Sequence, residues 1–112
     1  MIIYHITSKE KLQTVLAGSD YTGDTLQTEG FIHCSTAGQV IEVANQRFKG
    51  QSGLVVLLVD TDLVKPEIRY ENLEGGTRLF PHIYGPINRN AIHKIIELNP
   101  GQDGCFVLPD NV

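Results

Sequence analysis

Three histidines stand beside short apolar segments or turns, and histidine is the residue type in this chain best suited to chemistry. His5 ends the first apolar segment, His33 lies within a second, and His82 stands just before a Gly-Pro turn. Among side chains, imidazole has the pKa nearest to neutrality, so the ring can donate or accept a hydrogen bond, act as a base or bind a metal. These three residues are therefore the first candidates for a functional site.

His5 and His33 share a local context, a strand followed at once by hydroxyl residues that can cap a helix. Thr7 follows His5, and Ser35 and Thr36 follow His33. The first N–H groups of a helix are unpaired and carry partial positive charge, so an anionic ligand can bind there. One such histidine alone is better interpreted as a packing residue. When two histidines share this context, a shared ligand site and a packing role are equally good interpretations.

Residues 80–86 combine His82 with aromatic residues, proline and glycine. Aromatic rings around a polar group, as at His82 and Tyr84, suit the wall of a pocket for a flat ligand such as a base or nicotinamide. A turn whose rings cover the core is an equal alternative. Glu71 ends a predicted strand, where its carboxylate can act as a base or bind a sugar hydroxyl. Taken alone, Glu71 is more simply interpreted as a solvated charge.

Metal and thiol chemistry receive less support from the spacing of the donors. His5, His33, Cys34 and His82 are numerous enough for zinc, but no H-x-x-x-H or C-x-x-C pair places two of them on one element. His33 and Cys34 are neighbours in a predicted strand and point to opposite faces, which argues against His33 as the base for a Cys34 nucleophile. We therefore expect no metal site, and we expect Cys34 and Cys105 to be free thiols.

Hydrophobic periodicity predicts an α+β fold that places these residues on strands and turns. The predicted strands are 2–6, 31–34, 54–59, 67–71, 78–84, 92–98 and a final edge strand near 105–108. The predicted helices are 8–17, with a Thr7–Glu10 capping box, and a second helix that starts at Ser35 or Thr36 and ends at Gly50.

Three further segments complete the predicted topology. The apolar run 54–59 indicates a central strand covered on both faces. Pro81 places its strand at a sheet edge or divides it, since proline cannot donate to a ladder. Residues 19–30 are predicted to form a loop, Gly75-Gly76 a turn and residues 88–90 a short helical turn.

Composition limits the classes of function. The 112 residues fit one domain, 1–112, and 41% of them are hydrophobic, as in a globular protein. Nine Lys and Arg against 13 Asp and Glu give a net charge of −4, so non-specific binding to nucleic acid is not expected. No apolar run is long enough to cross a membrane, and the N-terminus lacks the pattern of a secretory signal. A cytoplasmic protein with no membrane partner is expected.

Four spaced motifs resemble the small bacterial family known as domain of unknown function 952. They are residues 3–7, residues 30–36 with Gln39-Val40, residues 43–45, and residues 80–85. The resemblance covers nearly the whole chain. It implies a compact version of the ADP-ribosyltransferase fold, with a split, bent, mixed β-sheet of about six strands, two main helices and an NAD-binding cleft.

The same resemblance implies roles for single residues. His5 matches a first-strand histidine that contacts the ribose on the nicotinamide side of NAD, and His33 or Ser35 would lie near the nicotinamide. Glu71 is the match for a late-strand glutamate that orients the acceptor. A branch resembling RNA 2′-phosphotransferases has histidines in the first two motifs, and His5 and His33 are similar to these. This sequence lacks the basic RNA-binding domain of that branch.

We therefore expect an enzyme that acts on NAD, or on an ADP-ribosylated or phosphorylated nucleotide, with NAD as a substrate and no other cofactor. The expected catalytic residues are His5, His33 and Glu71, and the expected ligand-binding residues are Thr7, Ser35, Thr36, His82 and Tyr84. His5 is expected at a strand end with its ring at the cleft mouth, so that its removal weakens binding without unfolding the protein. The alternatives are a binding module without turnover and an interaction protein.

Overall fold

The computed structural model describes residues 1–23, 25–72 and 76–108, and they form an α+β fold. The strands of the described residues are β1 (Ile2–Ser8), β2 (Ile32–His33), β3 (Leu54–Asp60), β4 (Ile68–Glu71), β5 (Phe80–Ile83) and β6 (Ile92–Leu98). The helices are α1 (Lys9–Leu16), α2 (Thr25–Glu29) and α3 (Val40–Arg47), with one 3-10 turn at Arg89–Ala91. The α+β class predicted from the sequence is confirmed.

The first sheet has the order β1-β3-β6, with antiparallel pairing throughout. Its central strand β3 is apolar at every position before Asp60 because both faces are covered. Val55 and Leu57 pack towards the second sheet, whereas Val56 and Leu58 pack towards α3. The prediction of a central, doubly covered strand is confirmed.

The second sheet has the order β2-β5-β4 and is also antiparallel. Its middle strand is β5, so the prediction that Pro81 lies at an edge is wrong. The Pro81 carbonyl accepts a hydrogen bond from the Cys34 N–H on the β2 side, so the proline nitrogen faces that side too. Because β2 ends at His33, the missing donor of Pro81 falls where the partner strand stops.

The strands of the described residues thus form two separate antiparallel sheets, where one split, mixed sheet was expected. Among the described residues, one bridge links the backbones of the two sheets, and in it Tyr4 and Ser35 exchange both backbone hydrogen bonds, at 2.8 and 2.7 Å. In antiparallel register Ile6 would next pair with His33. Instead the His5 ring donates to the His33 carbonyl, with Nδ1 and O 2.5 Å apart. A side chain thus takes the place of the ladder at the point where the sheets separate.

The helix boundaries differ from the prediction in three places. Ser8, not Thr7, caps α1, and its hydroxyl accepts a hydrogen bond from the Lys11 N–H. The predicted start of the second helix at Ser35 or Thr36 is too early, since α3 begins at Val40, and the Gln39 side chain accepts a hydrogen bond from the Thr36 N–H just before it. Residues 25–29 form the short helix α2 within the segment predicted as a loop.

The C-terminal segment packs beside the end of α3, where the Gly50 N–H donates to the Gly104 carbonyl. Residues 105–108 form no strand, and Phe106 is instead buried, with its N–H donating to the Asn45 side chain 2.6 Å away. The 3-10 turn and β6 confirm the predictions for 88–90 and 92–98. Gly75 of the predicted Gly75-Gly76 turn lies outside the described residues. No helix of the described residues is long and apolar enough to span a membrane.

Candidate functional site

A cleft of about 500 Å³ opens where the two sheets separate. Its walls come from the outer edge of β1, the chain after β2, the last turn of α3 and the facing ends of β4 and β5. Six of the eight residues predicted for the site line it: His5, Thr7, His33, Ser35, Glu71 and His82. The volume lies in the range typical of small-molecule sites.

His5 lies in the middle of β1, not at its end, and both of its ring nitrogens have protein partners. Nδ1 donates to the His33 carbonyl, so neutral imidazole carries its lone pair on Nε2. Nε2 lies 2.7 Å from the Tyr21 hydroxyl, which can donate to it. Burial lowers the pKa of His5 to about 4, because a charged ring there would lose its hydration. His5 is therefore neutral at pH 7, and its ring has no nitrogen left for a ligand.

Tyr21 is a site residue that the sequence analysis missed. Its backbone pairs with Ile87 through two hydrogen bonds, and its side chain is 1% exposed. The hydroxyl lies 2.8 Å from the Thr7 hydroxyl, which completes a chain from Thr7 through Tyr21 to His5. Burial raises the pKa of Tyr21 to about 12, so this chain keeps its protons at neutral pH. In the sequence, Tyr21 is the one aromatic residue of the polar segment 19–30, and this was the signal that could have identified it.

The predicted hydroxyl residues have different roles. Thr7 and Ser35 are buried in the cleft wall, the first bonded to Tyr21 and the second held by its bridge to Tyr4. Thr36 is not part of the wall. Its carbonyl accepts the N–H groups of Gln39 and Val40, so it shapes the turn that leads into α3.

His33 and His82 face each other across β2 and β5, and both line the cleft. Their ring centroids are 5.2 Å apart in an edge-to-face arrangement. Phe31 stacks on His82 with centroids 4.4 Å apart and an interplanar angle of 25°. The His82 residue is 4% exposed, while the His33 side chain is 39% exposed, so His82 is fixed and His33 is open to solvent.

Glu71 joins β4 to this cluster by accepting two hydrogen bonds at one oxygen. His82 Nδ1 lies 3.1 Å from Oε1, and the Tyr84 hydroxyl donates to the same atom. The bond from Tyr84, and next that from His82, lowers the pKa of the Glu71 carboxyl. Tyr84 lies behind the cleft wall and is linked to the cleft by its hydrogen bond to Glu71. The Arg69 guanidinium lies 4.6 Å from the centre of the Tyr84 ring.

The cleft carries charges of both signs. Glu29, from α2, lies 3.1 Å from His33 Nε2, and Lys11 and Arg47 contribute cations from α1 and α3. These three residues were also missed, because nothing in their local sequence links helices α1, α2 and α3 to the histidines. Opposite charges in one cleft suit a ligand that has both anionic and hydrogen-bonding groups.

Thiol and metal chemistry find no support in this geometry. Cys34 packs in the core cluster between the sheets, and burial raises the pKa of its thiol, which disfavours the nucleophilic thiolate. Cys34 and Cys105 are both free cysteines. Within residues 1–23, 25–72 and 76–108, no three His, Cys, Asp or Glu side chains are placed to hold a metal ion.

The fold and the cleft define an α+β protein with a histidine-lined cleft between two antiparallel sheets, and comparison with known proteins identifies its family. Residues 6–95 match the family described as protein of unknown function (DUF952), and the chain belongs to that family. Two crystal structures of CC0527 from Caulobacter crescentus, one of them a double mutant, are each similar at 30% identity with a TM-score of 0.86, over 99% of this chain and 97% of theirs. The solution NMR structure of CC0527 is 31% identical with a TM-score of 0.83, over 99% of this chain and 96% of that one. No curated protein matches the sequence.

Proposed function

We propose that this protein acts on NAD, or on an ADP-ribosylated or phosphorylated nucleotide, bound in the cleft between the two sheets. The observation that carries the proposal is the convergence of His33, His82 and Glu71 on one cleft of about 500 Å³. The split between two antiparallel sheets at this cleft agrees with the ADP-ribosyltransferase-like fold that the sequence resemblance implies. Binding groups for each part of such a ligand are available.

The outer edge of β1 offers main-chain groups to a ligand. Tyr4 directs its N–H and C=O to Ser35. Alternate residues of a strand direct these groups to the same side, so those of Ile6 face the edge where the sheets have separated. Ile6 lines the cleft. A donor and an acceptor side by side complement a carboxamide, such as that of nicotinamide, or the edge of a base.

The remaining groups suit a sugar and phosphates. Glu71 accepts both of its observed hydrogen bonds at Oε1, so Oε2 is the oxygen oriented for other donors such as ribose hydroxyls. Lys11 and Arg47 lie on the cleft wall near enough to contribute positive charge towards a phosphate. His33 presents a half-exposed ring between these two regions.

Titration of labelled protein with NAD, ADP-ribose and nucleoside phosphates tests the proposal. Saturable NMR shifts are expected at cleft residues. His33→Ala should lower affinity between about twofold and a hundredfold, the range for loss of one neutral or charged hydrogen bond. His93→Ala is the matched control, because His93 is exposed on β6 and should leave affinity unchanged. Absence of any saturable shift with all three ligands would refute the proposal.

A binding module without turnover is the second candidate, and the state of His5 favours it. A buried ring that is neutral down to about pH 4 and has both nitrogens bonded cannot exchange protons with a substrate near neutrality. Release of nicotinamide from NAD, measured by chromatography, separates the two candidates. An enzyme releases it in proportion to its concentration and time, whereas a binding module releases none.

A further inference from the structure

We propose that His82 is the general base of this cleft, that Glu71 is its positioning residue, and that the group it activates is a hydroxyl acceptor. This inference rests on the proposed function and adds a role that the sequence motifs do not imply, since they direct attention to His5 and His33. It assigns the proton transfer to the second sheet and leaves the first sheet to hold the ligand.

Geometry sets the tautomer of His82. A carboxylate only accepts hydrogen bonds, so the contact with Glu71 Oε1 requires the proton of neutral His82 to be on Nδ1. The lone pair is then on Nε2, on the side of the ring away from Glu71. His82 itself lines the cleft, so this lone pair is the group that it can offer to a ligand there.

Packing holds the ring in this orientation. Phe31 covers one face of His82 at 4.4 Å, and the His33 ring meets it edge-to-face at 5.2 Å. The Tyr84 hydroxyl donates to the same Glu71 oxygen, which fixes the carboxylate in turn. A base oriented by a partly buried carboxylate that is itself held by a third group is an arrangement that favours general-base catalysis.

Comparison with the other histidines leaves His82 as the best base. His5 has both nitrogens bonded, and burial lowers its pKa to about 4, so its ring stays neutral near pH 7. His33 pairs with Glu29, but both side chains are largely exposed, at 39% and 46%, so this pair is weakly held. The corresponding values for His82 and Glu71 are 6% and 23%.

The reaction balances without any further reactant. The hydroxyl oxygen of water or of an alcohol attacks C1′ of the ribose attached to nicotinamide, and its proton passes to His82 Nε2. The bond from C1′ to the pyridinium nitrogen breaks, and its electron pair leaves with neutral nicotinamide. The products are nicotinamide, the ADP-ribosyl compound of the acceptor and one proton. Glu71 stabilises the imidazolium while the proton is on His82.

The test compares turnover and affinity in the same variants of the full chain. Nicotinamide release and NAD binding are measured for His82→Ala and Glu71→Gln, with His93→Ala and Glu97→Gln as controls on exposed positions of β6. Turnover of both His82→Ala and Glu71→Gln should fall about 100-fold or more, the usual contribution of a general base. Affinity should stay within about threefold in His82→Ala, and in Glu71→Gln it should fall by less than turnover does, because the amide keeps one oxygen for the ribose hydroxyls. The controls should match the wild type. Added imidazole should restore turnover to His82→Ala, which it would not do for a purely structural residue.

Each outcome decides between the two proposals. Normal turnover in Glu71→Gln and His82→Ala, or loss without rescue in a folded His82→Ala, overturns the role of His82 and leaves the proposed function standing. If His82→Ala does not fold, Glu71→Gln alone decides by its turnover and affinity. A wild-type protein that does not bind NAD, or binds it without releasing nicotinamide, overturns the role of His82, and one that binds none of NAD, ADP-ribose and nucleoside phosphates overturns both proposals. Addition of methanol identifies the acceptor: a methyl ADP-ribosyl product indicates alcohols, ADP-ribose alone indicates water, and ADP-ribosylation of an amine refutes a hydroxyl acceptor.

Discussion

Acidification should destabilise this protein through His5, because its buried ring resists protonation. The pKa of His5 is lowered from 6.5 to about 4 in the folded state. Between these two values the unfolded chain binds a proton that the folded protein does not. The contribution of neutral His5 to stability is therefore fully present above pH 6.5 and is lost as the pH falls towards 4.

The size of the effect follows from these two pKa values. For a single proton, the free energy of unfolding falls by about 1.4 kcal/mol at pH 5.5 and by about 2.5 kcal/mol at pH 4.5, relative to pH 7.5. Other acidic groups titrate in the same window, so the loss must be measured as a difference. The variant His5→Gln cannot titrate, yet its amide can still donate to the His33 carbonyl or accept from Tyr21.

Urea unfolding followed by far-UV circular dichroism at pH 7.5, 6.5, 5.5 and 4.5 measures this difference, and the absence of tryptophan makes dichroism the better probe. The wild type should lose about 2.5 kcal/mol more than His5→Gln between pH 7.5 and 4.5. His93→Gln, an exposed control, should follow the wild type. Equal losses in wild type and His5→Gln, within about 0.5 kcal/mol, would refute the assignment of His5 as a buried neutral ring.

Three further outcomes are expected. Tyr21→Phe should lower the free energy of unfolding by about 1–3 kcal/mol, because two buried groups lose their partner; a change below about 0.5 kcal/mol in urea unfolding would contradict this. Tyr84→Phe should raise the pKa of Glu71, since the hydrogen bond from Tyr84 is the main cause of its lowering, and carboxyl ¹³C NMR titration would show no change if the contact were absent. Cys105 should react with iodoacetamide before the buried Cys34, whose thiol has a raised pKa; equal rates by mass spectrometry would be inconsistent with this packing.

Local patterns in the sequence were sufficient for the elements of the fold and for the candidate residues. The unbroken apolar run of β3 predicted a central strand, since only a strand covered on both faces needs apolar residues throughout. The hydroxyl residues Ser35 and Thr36 and the stop at Gly50 located the region of α3, although its cap is Gln39. The motifs around His5, His33 and His82 identified side chains that the structure brings to one cleft.

The predictions failed where distant segments compete for the same backbone groups. Pro81 is tolerated in a central strand because β2 ends beside it, which no local rule contains. Thr7 has the spacing of a cap, but β1 continues through it and its hydroxyl bonds to Tyr21, so Ser8 caps α1. For both Pro81 and Thr7, the arrangement of a segment far away in the sequence outweighed the local preference of the residue type.

The sequence by itself determined the class of fold, the central strand and the residue types of the site, because period, apolar content and side-chain chemistry are local properties. Only the tertiary structure decided what each histidine can do. Tyr21, 16 positions away, and the His33 carbonyl, 28 positions away, occupy both nitrogens of His5. The hydrogen bond to Glu71 requires the proton of neutral His82 on Nδ1, so the lone pair is on Nε2. Protonation, tautomer and access depend on burial and on partners distant in sequence, and folding alone brings these together.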